Sequence, residues 1–151
     1  MSSLTEAPAA ARPPDVEAVL VQARELLTDT GCMILRVPVV GGEAWETYRE
    51  NWVRLDPPRH LYLHSLGSLH RLAAQAGLQI AELHFDSTAL QFWGSELCGR
   101  DVPLLDPRSP AVNRADGIFS PAEMRRFEER SRLANRAGRG DQIAARLVRA
   151  A

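Results

Sequence analysis

Apolar residues recur every three or four positions in three stretches of the chain, and this spacing predicts three amphipathic helices. The first stretch covers residues 16–27. Asp15 can cap its start, and Gly31 can adopt a left-handed conformation that ends it. The second stretch covers residues 66–76 and is followed directly by Gly77, which can end it in the same way. Each helix is expected to bury one face.

The third predicted helix has the most complete start signal. Ser120 can cap it, Pro121 suits the first turn, and Glu123 can close a capping box. We therefore expect a helix that continues to about Ala137. Ser65 is an N-cap of the same kind for the second helix. The arginines of the third helix are balanced by glutamates, which predicts a mostly solvated face.

Three shorter apolar segments predict strands. Residues 32–40 are almost continuously apolar, which is typical of a strand buried on both faces of a parallel sheet, and Pro38 should mark its end. Residues 78–86 alternate imperfectly, with a slip after Ile80 that a β-bulge would explain. Residues 142–149 alternate regularly. Helices interleaved with strands indicate an α/β protein.

The rest of the chain has weaker patterns. Residues 43–51 are predicted to form a short helix that leads into a loop at 51–65. Residues 87–119 show no clear elements and contain a Pro-rich run, so we interpret them as an insertion or lid. Residues 1–14 lack the features of a signal peptide and are predicted to be a disordered leader. The predicted domain therefore covers residues 15–151.

The composition excludes several classes of partner. The chain has 151 residues, of which 45% are hydrophobic and 25% charged, with a formal net charge of -1. This balance predicts a soluble globular protein without the basic field that nucleic acids require. No apolar run approaches the roughly 20 residues that cross a bilayer. We therefore expect neither nucleic acid nor membrane as partner. Cys32 and Cys98 form no ligand pair, so we expect a reduced, cytoplasmic setting.

Side chains that can bind or move a proton are concentrated in the loop at 51–65. Pro57 and Pro58 fix the backbone there and make the loop stiff. His60 could act as a general base on an acceptor hydroxyl. The competing interpretation is that His60 forms a hydrogen bond within the loop and holds it in place. His64 would share a metal with His60 only on a helix, and no Cys or carboxylate cluster joins them, so no metal site is predicted.

The loop carries a resemblance to a known family. Val-Pro at 37–38 and residues 52–61, which read Trp-x-x-Leu-Asp-x-Pro-x-His-Leu, resemble the C-terminal half of class I S-adenosylmethionine-dependent methyltransferases, in particular a broad bacterial group. Residues 65–77 resemble the helix that follows in this family, and parts of 86–97 resemble the segment after its sixth strand. The resemblance covers roughly residues 15–149.

The resemblance implies an α/β fold that is the C-terminal portion of a Rossmann-like domain. The three predicted strands would correspond to the fifth, sixth and seventh of the family, arranged in the order fifth, seventh, sixth, and its first four strands would be missing. It also implies methyl transfer to a small-molecule acceptor, with His60 and Asp56 as catalytic candidates. The acceptor-binding candidates come from the loop and the insertion: Trp52, Arg59, Tyr62, Gln91 and Trp93.

The chain departs from the family where the cofactor should bind. S-adenosylmethionine requires a Gly-rich turn and, about 20 residues later, an acidic residue for the ribose, and neither pattern is present. Gly41 and Gly42 follow a strand, but no third glycine opens a helix after them. Cofactor-binding residues therefore cannot be assigned, and S-adenosylmethionine is not expected to bind this chain alone.

Two functions follow from this departure. The chain could be the acceptor-side half of a methyltransferase whose cofactor half is a second chain, or a non-catalytic truncated homologue that acts as an interaction or accessory module. In either case the strand at 33–40 would be an exposed apolar edge. We expect it to be covered by an N-terminal-half partner, by a second copy of the chain, or by local rearrangement.

Overall fold

The computed structural model describes residues 15–56, 60–113 and 117–150. Within these ranges the chain forms five α-helices and three strands, together with two 3-10 turns at Arg49–Asn51 and Val53–Leu55. The elements follow one another as α1 (Val16–Glu25), β1 (Met33–Pro38), α2 (Glu43–Tyr48), α3 (Leu66–Gln75), β2 (Leu78–Phe85), α4 (Leu90–Gly99), α5 (Pro121–Arg136) and β3 (Gln142–Arg149). The predicted leader at 1–14 lies outside the described residues.

The three strands form one sheet in the order β1-β3-β2. The last strand in the sequence is the middle strand and pairs antiparallel with both neighbours. The prediction of a parallel sheet with residues 32–40 buried on both faces is therefore wrong. Exposure alternates along β1: Ile34 is 65% exposed, and Arg36 reaches outward to form an ion pair with Asp86 at 2.6 Å. One face of β1 is thus open to solvent.

The main core lies between the sheet and the helices α1 and α3. The inward side chains of β3 are Ile143, Ala145 and Leu147, each at most 1% exposed, as their alternation predicted. Leu20 of α1 and Leu69 of α3 pack in the same cluster. Burying each large aliphatic side chain stabilises the fold by about 1.5–3 kcal/mol. A second cluster joins α2, the 3-10 turns, α4 and α5 around Ala44, Trp52, Phe92 and Ala134.

Local chemistry sets most helix ends as predicted. Asp15 accepts hydrogen bonds from the backbone at the start of α1, and Ser65 and Ser120 form capping boxes on α3 and α5. Gly77 ends α3 with a φ of 69°. Gly31 does not have a positive φ, since α1 already ends at Glu25, so the predicted role of this glycine is wrong.

Of two further predicted features, one differs from the prediction and one agrees with it. The predicted helix at 43–51 is shorter, because α2 ends at Tyr48 and Arg49 has a φ of 49°, which is incompatible with a continuing α-helix. The slip in β2 is an irregularity in its pairing with β3 between Ile80 and Glu82, in agreement with the expected bulge.

Helix α4 lies in the segment 87–119, where no clear element was predicted. The buried face of α4 carries Gln91 and Ser95 beside Phe92, and these polar residues hide the apolar stripe that would mark a helix. Each polar side chain donates an internal hydrogen bond: Gln91 Nε2 donates to Ser131 Oγ at 2.9 Å, and Ser95 Oγ donates to the carbonyl of Gln91 at 2.7 Å, while Gln91 Oε1 has no partner among the described residues. Polar burial is therefore tolerated here without an obvious signal in the sequence.

Candidate functional site

One edge of the sheet gathers the segments that carry the candidate residues. Pro38 at the end of β1 pairs with Gln142, and Phe85 at the end of β2 pairs with Ile143, so both carboxyl ends lie where β3 begins. The segments 39–65 and 86–141 both leave from this edge. Ligands of open α/β sheets bind at the carboxyl ends of the strands. A ligand site is therefore expected at this edge of the sheet.

His60 is held by a hydrogen bond of defined direction. Its Nδ1 lies 2.9 Å from the carbonyl oxygen of Arg54. A carbonyl can only accept, so Nδ1 carries the hydrogen, and in the neutral ring Nε2 is the acceptor nitrogen. This tautomer is the one that a general base acting through Nε2 requires. The same bond also satisfies the competing interpretation, in which His60 holds its own loop.

His60 lines a cleft of about 250 Å³ between the loop and the end of β1. Tyr62 and His64 line it too, with their rings stacked at 6.3 Å between centroids. The remaining walls are apolar side chains: Val16, Val37, Pro38 and Leu61. Burial lowers the pKa of His64, which favours its neutral form. The cleft is therefore largely apolar, with imidazole nitrogens and a phenol as its polar groups.

The other predicted loop residues are placed less informatively. Asp56 follows the second 3-10 turn with a φ of 21°. Its charge adds to the burial that raises the pKa of the Cys98 thiol, so the two side chains are near each other. Arg59, predicted to bind the acceptor, lies outside the described residues, as do Pro57 and Pro58.

Three predicted acceptor-binding residues do not line the His60 cleft. Trp52 is 1% exposed and packs edge-on against Trp45 at 5.5 Å. Gln91 is completely buried against Ser131. Trp93 is half-buried and lines a different cavity, of about 510 Å³, beside the start of α5. The predicted residues are therefore divided between the cleft, the core and a second cavity, and their contact with an acceptor stays a prediction.

Asp141 is a buried acidic residue that contacts the loop and that sequence reasoning missed. It is completely buried, its Oδ2 accepts the indole hydrogen of Trp52 at 3.1 Å, and the same oxygen lies 3.4 Å from Arg54 Nε. Its backbone N–H donates to Ser87 Oγ at 2.7 Å. The available signal was an acidic residue directly before a buried strand, which costs free energy unless the charge is compensated.

The glycines after β1 do not form a cradle for S-adenosylmethionine. A Cβ on Gly41 would meet nothing within 4 Å, and the φ of 90° explains why glycine stands there. A Cβ on Gly42 would lie 2.4 Å from the carbonyl oxygen of Gly140, so this position serves the close approach of two chain segments. Gly41 faces open space, but Gly42 is closed off by Gly140 and no third glycine opens a helix after them, so the residues of this turn do not fit that group.

Two other kinds of site receive no support from the part of the chain that the structure describes. No group of three or more His, Cys, Asp or Glu side chains is arranged there to bind a metal ion. No helix among the same residues is both long and apolar enough to cross a membrane.

Similarity to known proteins is found at the level of structure. No protein-family model matches the chain, and no curated protein sequence matches it. The chain is similar to a crystal structure from Galdieria sulphuraria described as a sarcosine dimethylglycine methyltransferase, with a TM-score of 0.45 and 20% sequence identity. The match covers 91% of this chain and 48% of that one, so this chain spans about half the length of that structure. A similarity of this degree assigns neither a family nor an activity.

Proposed function

We propose that the chain is the acceptor-side half of an S-adenosylmethionine-dependent methyltransferase-like domain, with a small-molecule acceptor bound in the His60 cleft. The observation that carries the proposal is the strand order β1-β3-β2. It is the order expected if the strands are the fifth, sixth and seventh of that family. The Trp-x-x-Leu-Asp-x-Pro-x-His-Leu loop leaves from the carboxyl end of β1 and returns there, since the N–H of Val40 donates to the carbonyl of His64 at 2.9 Å.

His60 is proposed as the general base. Its Nε2 would take the proton from an acceptor hydroxyl or amine, while Nδ1–H continues to donate to the Arg54 carbonyl. The lowered pKa of His64 keeps that neighbour neutral, so it would not oppose a positive charge on His60. General base catalysis of this kind contributes about 10²- to 10⁴-fold to a rate. Asp56, which follows the same 3-10 turn, is the proposed carboxylate of the site.

The methyl donor is proposed to come from a second chain. In the part of the chain that the structure describes, β1 pairs with β3 on one side only, and Ile34 stands out from its open face. An unpaired apolar edge strand is a ready template for another strand. A cofactor-binding chain that adds a strand beside β1 would complete the sheet and bring the methyl group to the edge where His60 lies. A second copy of this chain is the other proposed occupant.

The proposal is tested by reconstitution. The chain is mixed with a chain encoded beside it that carries a Gly-x-Gly-x-Gly turn and ends in a strand, and formation of S-adenosylhomocysteine is measured in the presence of a metabolite extract. We expect turnover only when both chains are present. The turnover rate of the mixture should fall by about 10²- to 10⁴-fold when this chain carries His60→Gln. His70→Gln is the matched control, because His70 is exposed on α3.

The alternative function is that of a non-catalytic accessory module. Its supporting observation is that His60 already bonds to a carbonyl of its own loop, as a purely structural histidine would. A mixture that forms a complex and binds S-adenosylmethionine, but whose turnover is absent or unaffected by His60→Gln, would favour this alternative over the enzyme.

A further inference from the structure

We propose that Asp141 is a positioning residue that sets the orientation of His60 through Trp52 and Arg54. The inference rests on the proposed role of His60 as a base, but its structural content can be tested separately. Asp141 is the buried anchor: Oδ2 accepts from Trp52 Nε1 at 3.1 Å and lies 3.4 Å from Arg54 Nε. The Arg54 side chain is itself only 19% exposed, so this ion pair is well shielded from water.

The carboxylate of Asp141 has a fixed place relative to the sheet. The backbone N–H of Asp141 donates to Ser87 Oγ at 2.7 Å, and the backbone carbonyl of Asp141 accepts from the N–H of Val39 at 2.8 Å. Val39 directly follows β1, Ser87 follows β2, and Asp141 directly precedes β3. The residues that flank all three strands therefore meet at Asp141. Ser87 is fixed in turn by Asn135 of α5, which accepts from its N–H at 3.2 Å and donates to its carbonyl at 2.9 Å.

The loop is anchored over three consecutive residues. Trp52 and Arg54 contact Asp141, and the N–H of Val53 between them donates to Ser95 Oγ of α4 at 3.0 Å. Gly94 lets the turn approach this helix, because a Cβ there would lie 2.9 Å from Val53 Cγ2. The 3-10 turn is therefore held between the sheet edge and α4, and it is this turn that presents the Arg54 carbonyl to His60.

The consequence is a path from Asp141 to the imidazole of His60. The carboxylate holds the side chain of Arg54, the main chain of Arg54 holds Nδ1–H of His60, and Nε2 is left as the acceptor nitrogen. If the side chain of Arg54 is released, its carbonyl is held only through the neighbouring bonds of the turn, and the imidazole can exchange between tautomers more readily. Nothing in this path involves the cofactor or the second chain.

The experiment uses ¹⁵N-labelled full chain and reads the imidazole nitrogen shifts of each histidine, together with hydrogen exchange of the Val53 and Leu55 amides. We expect His60 to be in the Nδ1–H tautomer in the unmodified chain. In Asp141→Asn we expect mixed tautomers and exchange that is about ten- to hundredfold faster, the range for a hydrogen bond to a charged group. Arg54 Nε forms an ion pair with Asp141 but no hydrogen bond, so in Arg54→Met we expect mixed tautomers with a smaller acceleration of exchange. Asp106→Asn, in an exposed ion pair with Arg108, is the control and should change neither readout.

Arg54→Met keeps Asp141, and therefore decides the matter if Asp141→Asn does not fold. Unchanged His60 shifts and unchanged loop exchange in a folded Arg54→Met chain would overturn the inference. Neither readout requires methyl donor or acceptor. If the His60 shifts and the loop exchange change as expected but the reconstituted mixture is inactive, the positioning role stands and the enzyme is rejected. If the mixture is active but the shifts and exchange are unchanged, the enzyme stands and the positioning role is rejected.

Discussion

Trp52→Phe should destabilise the fold by about 3–4 kcal/mol, although it keeps an aromatic ring in the core. The indole N–H donates to the buried carboxylate of Asp141, and a hydrogen bond to a charged group contributes about 1.5–3 kcal/mol. The smaller ring also weakens the edge-on contact with Trp45, of a kind worth about 0.5–1.5 kcal/mol, and leaves a void where Trp52 was 1% exposed.

The assay is urea unfolding at neutral pH, followed by far-ultraviolet circular dichroism because tryptophan fluorescence changes with the substitution itself. A loss of this size corresponds to a melting temperature lower by roughly 10 °C for a domain of this length. Trp93→Phe is the matched control: Trp93 is half-buried and its indole forms no hydrogen bond within the described residues, so we expect a loss below about 1 kcal/mol. Equal losses in the two variants would refute the stabilising role of the Trp52–Asp141 bond.

Three further outcomes can be checked. Gly42→Ala places a Cβ 2.4 Å from the carbonyl oxygen of Gly140 and should lose about 1–3 kcal/mol in urea unfolding, whereas Gly67→Ala, whose Cβ would meet nothing closer than 3.8 Å, should gain up to about 1 kcal/mol; equal effects would contradict the clash. Burial, then a hydrogen bond to a glutamate, raises the pKa of Tyr48 from 10.0 to about 12, so its stabilisation is complete below pH 10 and lost as the pH rises towards 12. The difference in unfolding free energy between the unmodified chain and Tyr48→Phe should therefore shrink by at most about 2 kcal/mol between pH 9 and 12, since the group is only half buried; a constant difference would contradict this. Finally, light scattering at micromolar concentration should show self-association of the isolated chain that Ile34→Lys reduces, and monodisperse monomers in both cases would speak against pairing at the β1 edge.

Local chemistry explains why most helices and the last strand could be predicted. The caps at Asp15, Ser65 and Ser120 depend on side chains within three residues, and the alternation of β3 reflects burial on one face. The partners of β1 could not be read in this way. Its apolar run is compatible with either kind of sheet, and only pairing with β3, more than a hundred residues away, determines the antiparallel register.

In the candidate site, too, local features could be predicted from the sequence and long-range contacts could not. The loop around His60 was recognisable because its unusual residues are contiguous in sequence. Asp141 was not, because its partner Trp52 lies 89 residues before it, and the buried strand that follows Asp141 does not by itself show where the carboxylate lies. Helix α4 was missed for a related reason: Gln91 and Ser95 occupy buried positions that a hydrophobic pattern assigns to apolar residues.

The central claim is that this chain carries the acceptor-side cleft but not the cofactor site. Its most direct test is isothermal titration calorimetry of S-adenosylmethionine into the isolated chain, with the fold verified by circular dichroism in the same buffer. We expect no measurable binding, because Gly42 is packed against Gly140 and no third glycine follows Gly41 and Gly42 to form a Gly-rich turn. Micromolar affinity of the isolated chain for S-adenosylmethionine would contradict it.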